Sequence, residues 1–322
     1  MKNKVSSVAA PYGRTDQQRM EVGMNILEIK NLSLSFNMYD GVFSRRLLKV
    51  ISNLNITVRE GEILAVAGSS GSGKSLLAHA ILGILPKNAI LDGEMTWFGE
   101  SLTPKLQKQL RGRKLAFVPQ SVTYLDPLIR VGKQVSRDLK TVNGLFDRYH
   151  LKPEVAKQFP HELSGGMTRR VMISTALAGE PELVIADEPT PGLSPHLAEH
   201  AMKHFREIAN SGAAVLLITH DIDLAIRFAD RIAVFYAGTT VETANAYDFT
   251  DINLLRHPYS KALWAAMPQN EFAPTAGTQP YAGSLPGGCL YAPRCELYSA
   301  ECANKPESRS VRGGEVSCHN AY

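Results

Sequence analysis

Gly68-Ser69-Ser70-Gly71-Ser72-Gly73-Lys74-Ser75 is the stretch whose reading decides the fold. It fits Gly-x-x-x-x-Gly-Lys-Ser in full, and the residues on either side supply the context. Ile63-Leu64-Ala65-Val66-Ala67 is apolar on every side, as a strand buried in a parallel sheet is. From Ser75 to about Leu85 the pattern reads as a helix, stopped by Pro86. Strand, glycine-rich loop and helix in that order turn a short match into a triphosphate-binding loop. The glycines (Gly68, Gly71, Gly73) let backbone N–H groups turn inward around phosphates, with Ser69, Ser70 and Ser72 between them. Lys74 brings a positive point charge to the β- and γ-phosphates, and Ser75 offers its hydroxyl to Mg2+.

Working outward, Leu183–Ala186 and Ala214–Ile218 read as further buried strands, alternating with helices near 196–210 and 222–228. That is βαβ patterning around a parallel sheet. Upstream, residues 26–35 largely alternate apolar and polar, as a half-buried strand does. A loop is expected from Asn37 to Arg46 with Asp40-Gly41 as its turn, followed by strand-like residues at Ile51–Val58. Residues 121–162 are mostly helical in pattern. Met167–Ala178 reads as a helix with Gly179 as its C-terminal cap and Pro181 beyond. After about Tyr247 the composition changes: a helix at Ser260–Ala266, a Pro/Gly-rich stretch at 273–288, then cysteines.

Four more motifs follow the phosphate loop in order. Asp187 ends an apolar strand, where a carboxylate can hold Mg2+ through its water shell. Glu188, one residue on, can polarise an attacking water. Leu163-Ser164-Gly165-Gly166 opens a helix: Ser164 is a good N-cap type, and two glycines expose N–H donors at a positive helix end. Such a surface suits an anion, yet the chain's own loop already cradles one triphosphate, so a second surface makes sense for the ATP of a partner subunit. His220, after a strand, can hydrogen-bond a γ-phosphate. Gln120, after Phe117-Val118-Pro119, is an amide able to reach Mg2+ or water. Taken singly, these are an acidic strand end, a capped helix, a structural histidine and a surface amide. The ordered series behind a phosphate loop favours the site.

Composition sets bounds. The 322 residues suffice for about two domains, and a 44% hydrophobic content supports a sizeable core. A net charge of +4 gives no argument for nucleic acid as a partner. No apolar run approaches the ~20 residues that cross a bilayer. Residues 1–23 are polar with scattered basic residues and read as a disordered leader rather than a signal peptide, with Met24 an alternative start. These features predict a cytosolic chain, in which the four cysteines, Cys289, Cys295, Cys302 and Cys318, are not expected to form disulfides.

Phosphate loop, Gln120, Leu163–Gly166, Asp187-Glu188 and His220 together resemble the ATP-binding subunits of ABC transporters over about residues 24–322. The resemblance implies an α/β fold: a P-loop NTPase (RecA-like) core with a parallel sheet, an antiparallel β subdomain, a helical subdomain at about 121–180, and a small Cys-containing C-terminal extension. The expected division is a leader at 1–23, a nucleotide-binding domain at 24–249 and the extension at 250–322. It also implies two subunits facing head to tail, with each ATP between Lys74 of one and the counterpart of Ser164–Gly166 in the other. An early aromatic is implied against adenine; Phe36 is the first candidate and Tyr39 the second.

Within that family, Phe159–Met167, His257-Pro258-Tyr259-Ser260-Lys261-Ala262-Leu263 and Ala292-Pro293-Arg294-Cys295 are similar to the peptide/nickel importer group. The implied partners are a second ABC ATPase, identical or homologous, two membrane permeases and an extracytoplasmic solute-binding protein, with the ATPase peripheral on the cytoplasmic face of the inner membrane. Import of di- or oligopeptides is the implied role, nickel or a metal chelate the variant, and a soluble non-transport ABC ATPase the alternative. The cysteines have five, six and fifteen residues between them and no Cys-x-x-Cys pair, which argues against a zinc ribbon. Four thiolates can hold an iron–sulfur cluster. Some members of the group with this extension carry a 4Fe–4S cluster, so the resemblance implies one on these four; free thiols and zinc remain the alternatives. Two departures stand out. Ser194 replaces an Asp usual after Asp187-Glu188-Pro189-Thr190, which puts coupling between the two ATP sites in doubt. Thr168-Arg169 replace the usual Arg-Gln.

Overall fold

A computed structural model describes residues 23–40, 44–273 and 275–322. The expected leader, through residue 22, and Gly41 of the expected turn lie outside the described residues. In chain order the strands are β1 (Asn25–Asp40), β2 (Ser44–Arg59), β3 (Ile63–Gly68), β4 (Ala89–Trp97), β5 (Glu100–Ser101) and β6 (Leu115–Val118). They continue with β7 (Leu183–Asp187), β8 (Ala214–Thr219), β9 (Arg231–Tyr236), β10 (Thr239–Asn245), β11 (Arg309–Val311) and β12 (Gly314–Val316). The helices are α1 (Lys74–Leu82), α2 (Pro104–Leu110), α3 (Val131–Val135), α4 (Leu139–Arg148) and α5 (Gly165–Leu177). After them come α6 (Pro195–Asn210), α7 (Ile222–Phe228) and α8 (Pro258–Ala265).

The main sheet runs β11-β12-β10-β9-β3-β8-β7-β6, and a smaller sheet runs β2-β1-β4-β5. From β9 to β6 the pairs are parallel; β10, β12 and β11 add antiparallel strands at one edge. The central strands are apolar on both faces because each face meets a different core. In β3, Ile63, Ala65 and Ala67 face the cluster under α6 and α7, while Leu64 and Val66 face the one shared with α1 and the small sheet. β8 and β7 alternate in the same way: Val215 and Leu217, Val184 and Ala186 on the first side, Leu216 and Ile185 on the second. Each fully buried Val or Leu side chain contributes about 1.5–3 kcal/mol to that packing.

Four sequence expectations need correction. The loop expected at Asn37–Arg46 is mostly strand: β1 and β2 form a long antiparallel pair with Phe36 opposite Leu48 and Asp40 opposite Ser44. The first helix stops at Leu82, short of Pro86, because Gly83 takes a left-handed φ of 64° and its N–H returns to the Ala80 carbonyl. At the end of α5 the left-handed residue is Glu180, φ 48°, not Gly179. Residues 121–162 hold only α3, α4 and single turns, and the pairing partners β4, β9 and β10 had no strand assignment from the pattern.

The C-terminal chain is locked to the main sheet by a buried ionic knot. Arg256 donates to Glu242 (3.3 Å) and Asp248 (2.7 Å), and its Nε to the Val311 carbonyl (2.6 Å). Glu242, fully buried on β10, also accepts the backbone N–H groups of Arg256 (3.0 Å) and His257 (2.9 Å). His257 caps α8, its Nδ1 accepting from the Tyr259 N–H at 2.9 Å. Burial pulls its pKa down to about 3, so the cap is a neutral imidazole.

Candidate nucleotide site

The loop after β3 and the ends of β6, β7 and β8 open onto one cleft of about 990 Å3. Ligands of parallel sheets bind at this end, outside the carboxyl edge of the strands. Gly68 begins the loop with its Cα close to the β9 backbone; a Cβ there would sit 2.4 Å from the Phe235 carbonyl oxygen, so only glycine fits. Gly73, φ 97°, turns the chain into α1. Lys74, 8% exposed, donates to the carbonyls of Gly68 (2.7 Å) and Ser69 (2.9 Å), which holds its ammonium in the loop's concavity. Burial lowers its pKa, and the Glu188 and Asp187 carboxylates oppose that.

Asp187 ends β7, and Glu188 follows in a left-handed conformation, φ 47°, rare for a non-glycine residue and costing of order 1–3 kcal/mol. Its backbone N–H is tied to the Ile218 carbonyl at 2.9 Å, which anchors the strained residue to β8. His220, just past β8, donates Nδ1–H to Glu188 Oε1 at 2.8 Å, the tautomer assigned from that partner. Burial raises the pKa of Asp187, against which a Ser75 hydrogen bond acts. Asp187 Oδ1, Glu188 Oε2 and the Ser72 hydroxyl are buried without a partner. Unpaired buried oxygens cost about 1–3 kcal/mol each, so this cleft is built for groups that complete them. Ser75 beside the Asp187 carboxylate, with one oxygen unmet, fits an octahedral, oxygen-seeking Mg2+.

Gln120 lines the same cleft, as do Ser70, Gly71, Gly73 and Ser75. Ser164, Gly165 and Gly166 do not. Ser164 caps α5, accepting from the Met167 N–H at 3.4 Å, and Ser164 and Gly165 are exposed. A Cβ on Gly165 would meet nothing within 4 Å. Phe36 packs, partly buried, against the core shared with α1, and Tyr39 is exposed; neither lines the cleft. Ser194 caps α6 without a side-chain capping bond.

Sequence reasoning passed over three groups here. Arg169 is buried, donates to the Pro119 carbonyl at 2.8 Å just before Gln120, and is lowered in pKa by burial while Asp187 and Glu188 favour its charge. Its departure from the usual residue was the available signal. Leu48 and Val50 of β2 form an apolar wall, and residues 278–282 with Leu285 come in from the far C-terminal part of the chain.

The cysteines are all free. Burial pushes up Cys289, Cys295 and Cys318, and the other sulfurs add to it: Cys318 feels Cys289, Cys295 and Cys302. Cys302 receives weak contacts from Ser299 (3.7 Å) and Asn320 (3.8 Å). Among the described residues no group of three or more His, Cys, Asp or Glu side chains is arranged to hold a metal ion, so the ligand set expected there is not preformed.

A phosphate loop, a paired carboxylate–imidazole and a serine-capped glycine pair at a helix start, on one α/β fold, define a nucleotide-hydrolysing cassette. The comparisons agree. Residues 51–191 match the ABC transporter family, and residues 241–302 match the oligopeptide/dipeptide transporter C-terminal region. A Brucella melitensis protein named for peptide import ATP binding is 35% identical over 91% of this chain and 93% of its own length. The peptide transport system ATP-binding protein SapD of Salmonella typhimurium is 32% identical over 92% of this chain and 98% of its own. A dimeric structure of the ATP-binding cassette MJ0796, bound to ADP and Pi, superposes with a TM-score of 0.61 at 26% identity, covering 68% of this chain and 98% of that one. The chain belongs to the ATP-binding subunits of ABC transporters, in the branch that carries the oligopeptide/dipeptide C-terminal region, and is an ABC-type ATPase. Among the described residues no helix is long and apolar enough to cross a membrane.

Proposed function

We propose that this chain is the ATP-hydrolysing subunit of an importer for di- or oligopeptides. The observation that carries the reading is one chain holding both a complete cassette and the oligopeptide/dipeptide C-terminal region. Lys74 and the loop N–H groups hold the β- and γ-phosphates; Ser75 and Asp187, with Gln120 in reach of the cleft, would hold Mg2+. When bound, that ion neutralises developing charge on the phosphates. Glu188 orients and polarises the attacking water, and His220 fixes the Glu188 carboxylate through the 2.8 Å hydrogen bond while facing the cleft. The Ser164–Gly166 helix start, exposed at Ser164 and Gly165, supplies N–H donors to the ATP of a second subunit. Residues 24–249 form the nucleotide-binding domain, about 121–180 its helical part, and 250–322 the extension. The working assembly adds two permeases and an extracytoplasmic solute-binding protein, with this subunit on the cytoplasmic face of the inner membrane.

The experiment is co-purification from membranes, followed by ATP-driven uptake of labelled peptides in vesicles with the solute-binding protein present. Peptide uptake that needs ATP supports the proposal. Uptake of a metal chelate alone would move the cargo, and a chain that recovers no membrane protein would be a non-transport ATPase. The cysteines belong to the same proposal: Cys289, Cys295, Cys302 and Cys318 take a 4Fe–4S cluster that staples the tail, supported by the proximity of Cys289, Cys295 and Cys302 to Cys318, whose pKa they help to raise. Iron and acid-labile sulfide assays on anaerobically purified protein test it, and their absence removes it.

A further inference from the structure

Two neighbouring arginines on α5 do different things. Arg170 ties the helix to the end of α4: its Nε donates to the Gly166 carbonyl (3.1 Å), and its Nη1 to the carbonyls of Tyr149 (3.0 Å) and His150 (2.9 Å). That is a staple between helices. Arg169, one residue earlier, points elsewhere: it is buried, and its Nη1 donates to the Pro119 carbonyl at 2.8 Å. Burial works against its charge, and the Asp187 and Glu188 carboxylates favour it. Placing a buried guanidinium on a carbonyl rather than a carboxylate is costly. The place of that carbonyl in the chain gives the reason.

Pro119 is the exit of β6. The parallel register of β6 with β7 ends at Val118 opposite Ala186, so the chain leaves the sheet beside Asp187. The next residue is Gln120, exposed and lining the cleft. The proline ring locks its own φ, and the peptide that joins Pro119 to Gln120 is planar. One soft torsion, the ψ of Pro119, therefore decides how the Gln120 backbone enters the cleft. The Pro119 carbonyl turns with that torsion. A hydrogen bond from a buried guanidinium, carried on a packed helix, holds it still.

We propose that Arg169 is a positioning residue for ATP hydrolysis: by gripping the Pro119 carbonyl it aims Gln120 at the Mg2+ that Ser75 and Asp187 would hold. The proposal rests on the ATP site and on the Mg2+ reading of Gln120 given above. Ser164 caps the same helix, so the surface offered to a partner's ATP and the amide offered to this chain's own are joined through one buried bond.

The test is calorimetric titration of the full chain with the β,γ-imido analogue of ATP, once with Mg2+ and once with EDTA. Arg169→Met keeps an apolar arm and removes the donor. It should weaken the analogue about tenfold in Mg2+, the low end of what losing an outer partner of a metal ligand costs, and leave binding in EDTA unchanged. Arg169→Lys, which keeps a long donor, should recover most of the Mg2+-dependent affinity. Gln120→Ala should show the same Mg2+-only loss. Adding Arg169→Met to it should weaken binding no further, because residues that act through one another are not additive. The proposal is overturned if Arg169→Met weakens binding equally with and without Mg2+, as a structural staple would. It is also overturned if Arg169→Met changes neither, or if its effect adds in full to that of Gln120→Ala. Wild-type binding by Gln120→Ala would remove the glutamine from the Mg2+ site, and the proposal with it. A wild-type chain that binds the analogue equally in Mg2+ and EDTA would remove the Mg2+ site and both readings built on it.

Discussion

Two places in this molecule bury a cation beside two carboxylates, and they are finished differently. At the C-terminal knot, Arg256 pairs with Glu242 and Asp248, and both Glu242 oxygens accept backbone N–H groups. In the cleft, Lys74 is turned onto loop carbonyls, while Asp187 Oδ1 and Glu188 Oε2 have no partner and Glu188 sits at a positive φ. A satisfied network rigidifies, whereas unmet valence and strain mark a place that awaits a ligand. The knot is structure and the cleft is chemistry, although their residue types are nearly the same.

The comparison breaks most visibly at Glu188. Glu188→Gln should lower ATP turnover about 10²–10⁴-fold, the usual worth of a positioned proton acceptor, while ATP still binds. It should not destabilise the fold, because the lost charge has one unpaired oxygen and raises the pKa of Asp187 beside it. Steady-state phosphate release and equilibrium ATP binding check both halves. Turnover at the wild-type rate would remove Glu188 from its role.

Arg256→Met should do the reverse. Removing one partner of a buried ionic network strands the Glu242 carboxylate, at a cost of about 3–5 kcal/mol of stability. Urea unfolding measures it. If stability were unchanged, the knot would carry no more than a surface ion pair does.

His257 sharpens the picture through pH. Its folded pKa is about 3, below the ordinary 6.5, so the folded protein refuses a proton that the unfolded chain accepts. Its contribution is therefore complete above about pH 6.5 and is lost as pH falls toward 3, by about 1.4 kcal/mol per unit. Between pH 6.5 and pH 5 the loss is about 2 kcal/mol, and His257→Asn, which keeps a capping acceptor without the titration, should lose that much less over the same interval. Parallel curves for the two proteins would show that burial does not hold His257 neutral.

The same contrast explains what could be read from the chain in advance. The phosphate loop and strands β3, β7 and β8 were legible because local rules set them: apolar runs covered on both faces, and a loop whose glycines meet backbone. Glu188 and His220 were legible because they follow buried strands in series. The far ends of β1 and β2, residues 37–46, read as a loop because Asp40-Gly41 has turn chemistry, while Asn37 and Asp40 pair with Leu47 and Ser44 across the register. Gln279 and Tyr281 were not legible at all. Their partners lie some two hundred positions away, in a stretch whose prolines and glycines say only that it is neither helix nor strand. Arg169 gave a signal as a departure, but its bond to Pro119 needed the fold to bring α5 against β6.

Ser194 belongs to neither region and carries the smallest expected effect. It starts α6 on an exposed loop, and the carbonyl of Gly192 in that loop would lie 3.8 Å from a Cβ on Gly166. Its hydroxyl makes no capping bond, so the residue leaves the positive end of a 16-residue helix without side-chain compensation. Ser194→Asp puts at this N-cap the carboxylate that the resemblance gives as usual there. Because the site is exposed, the gain in stability is only about 0.3–1 kcal/mol, read by urea unfolding at low salt and shrinking as salt is added. A loss of stability instead would mean that an aspartate does not fit the N-cap geometry of α6, and that the serine is there for the local backbone rather than for the helix charge.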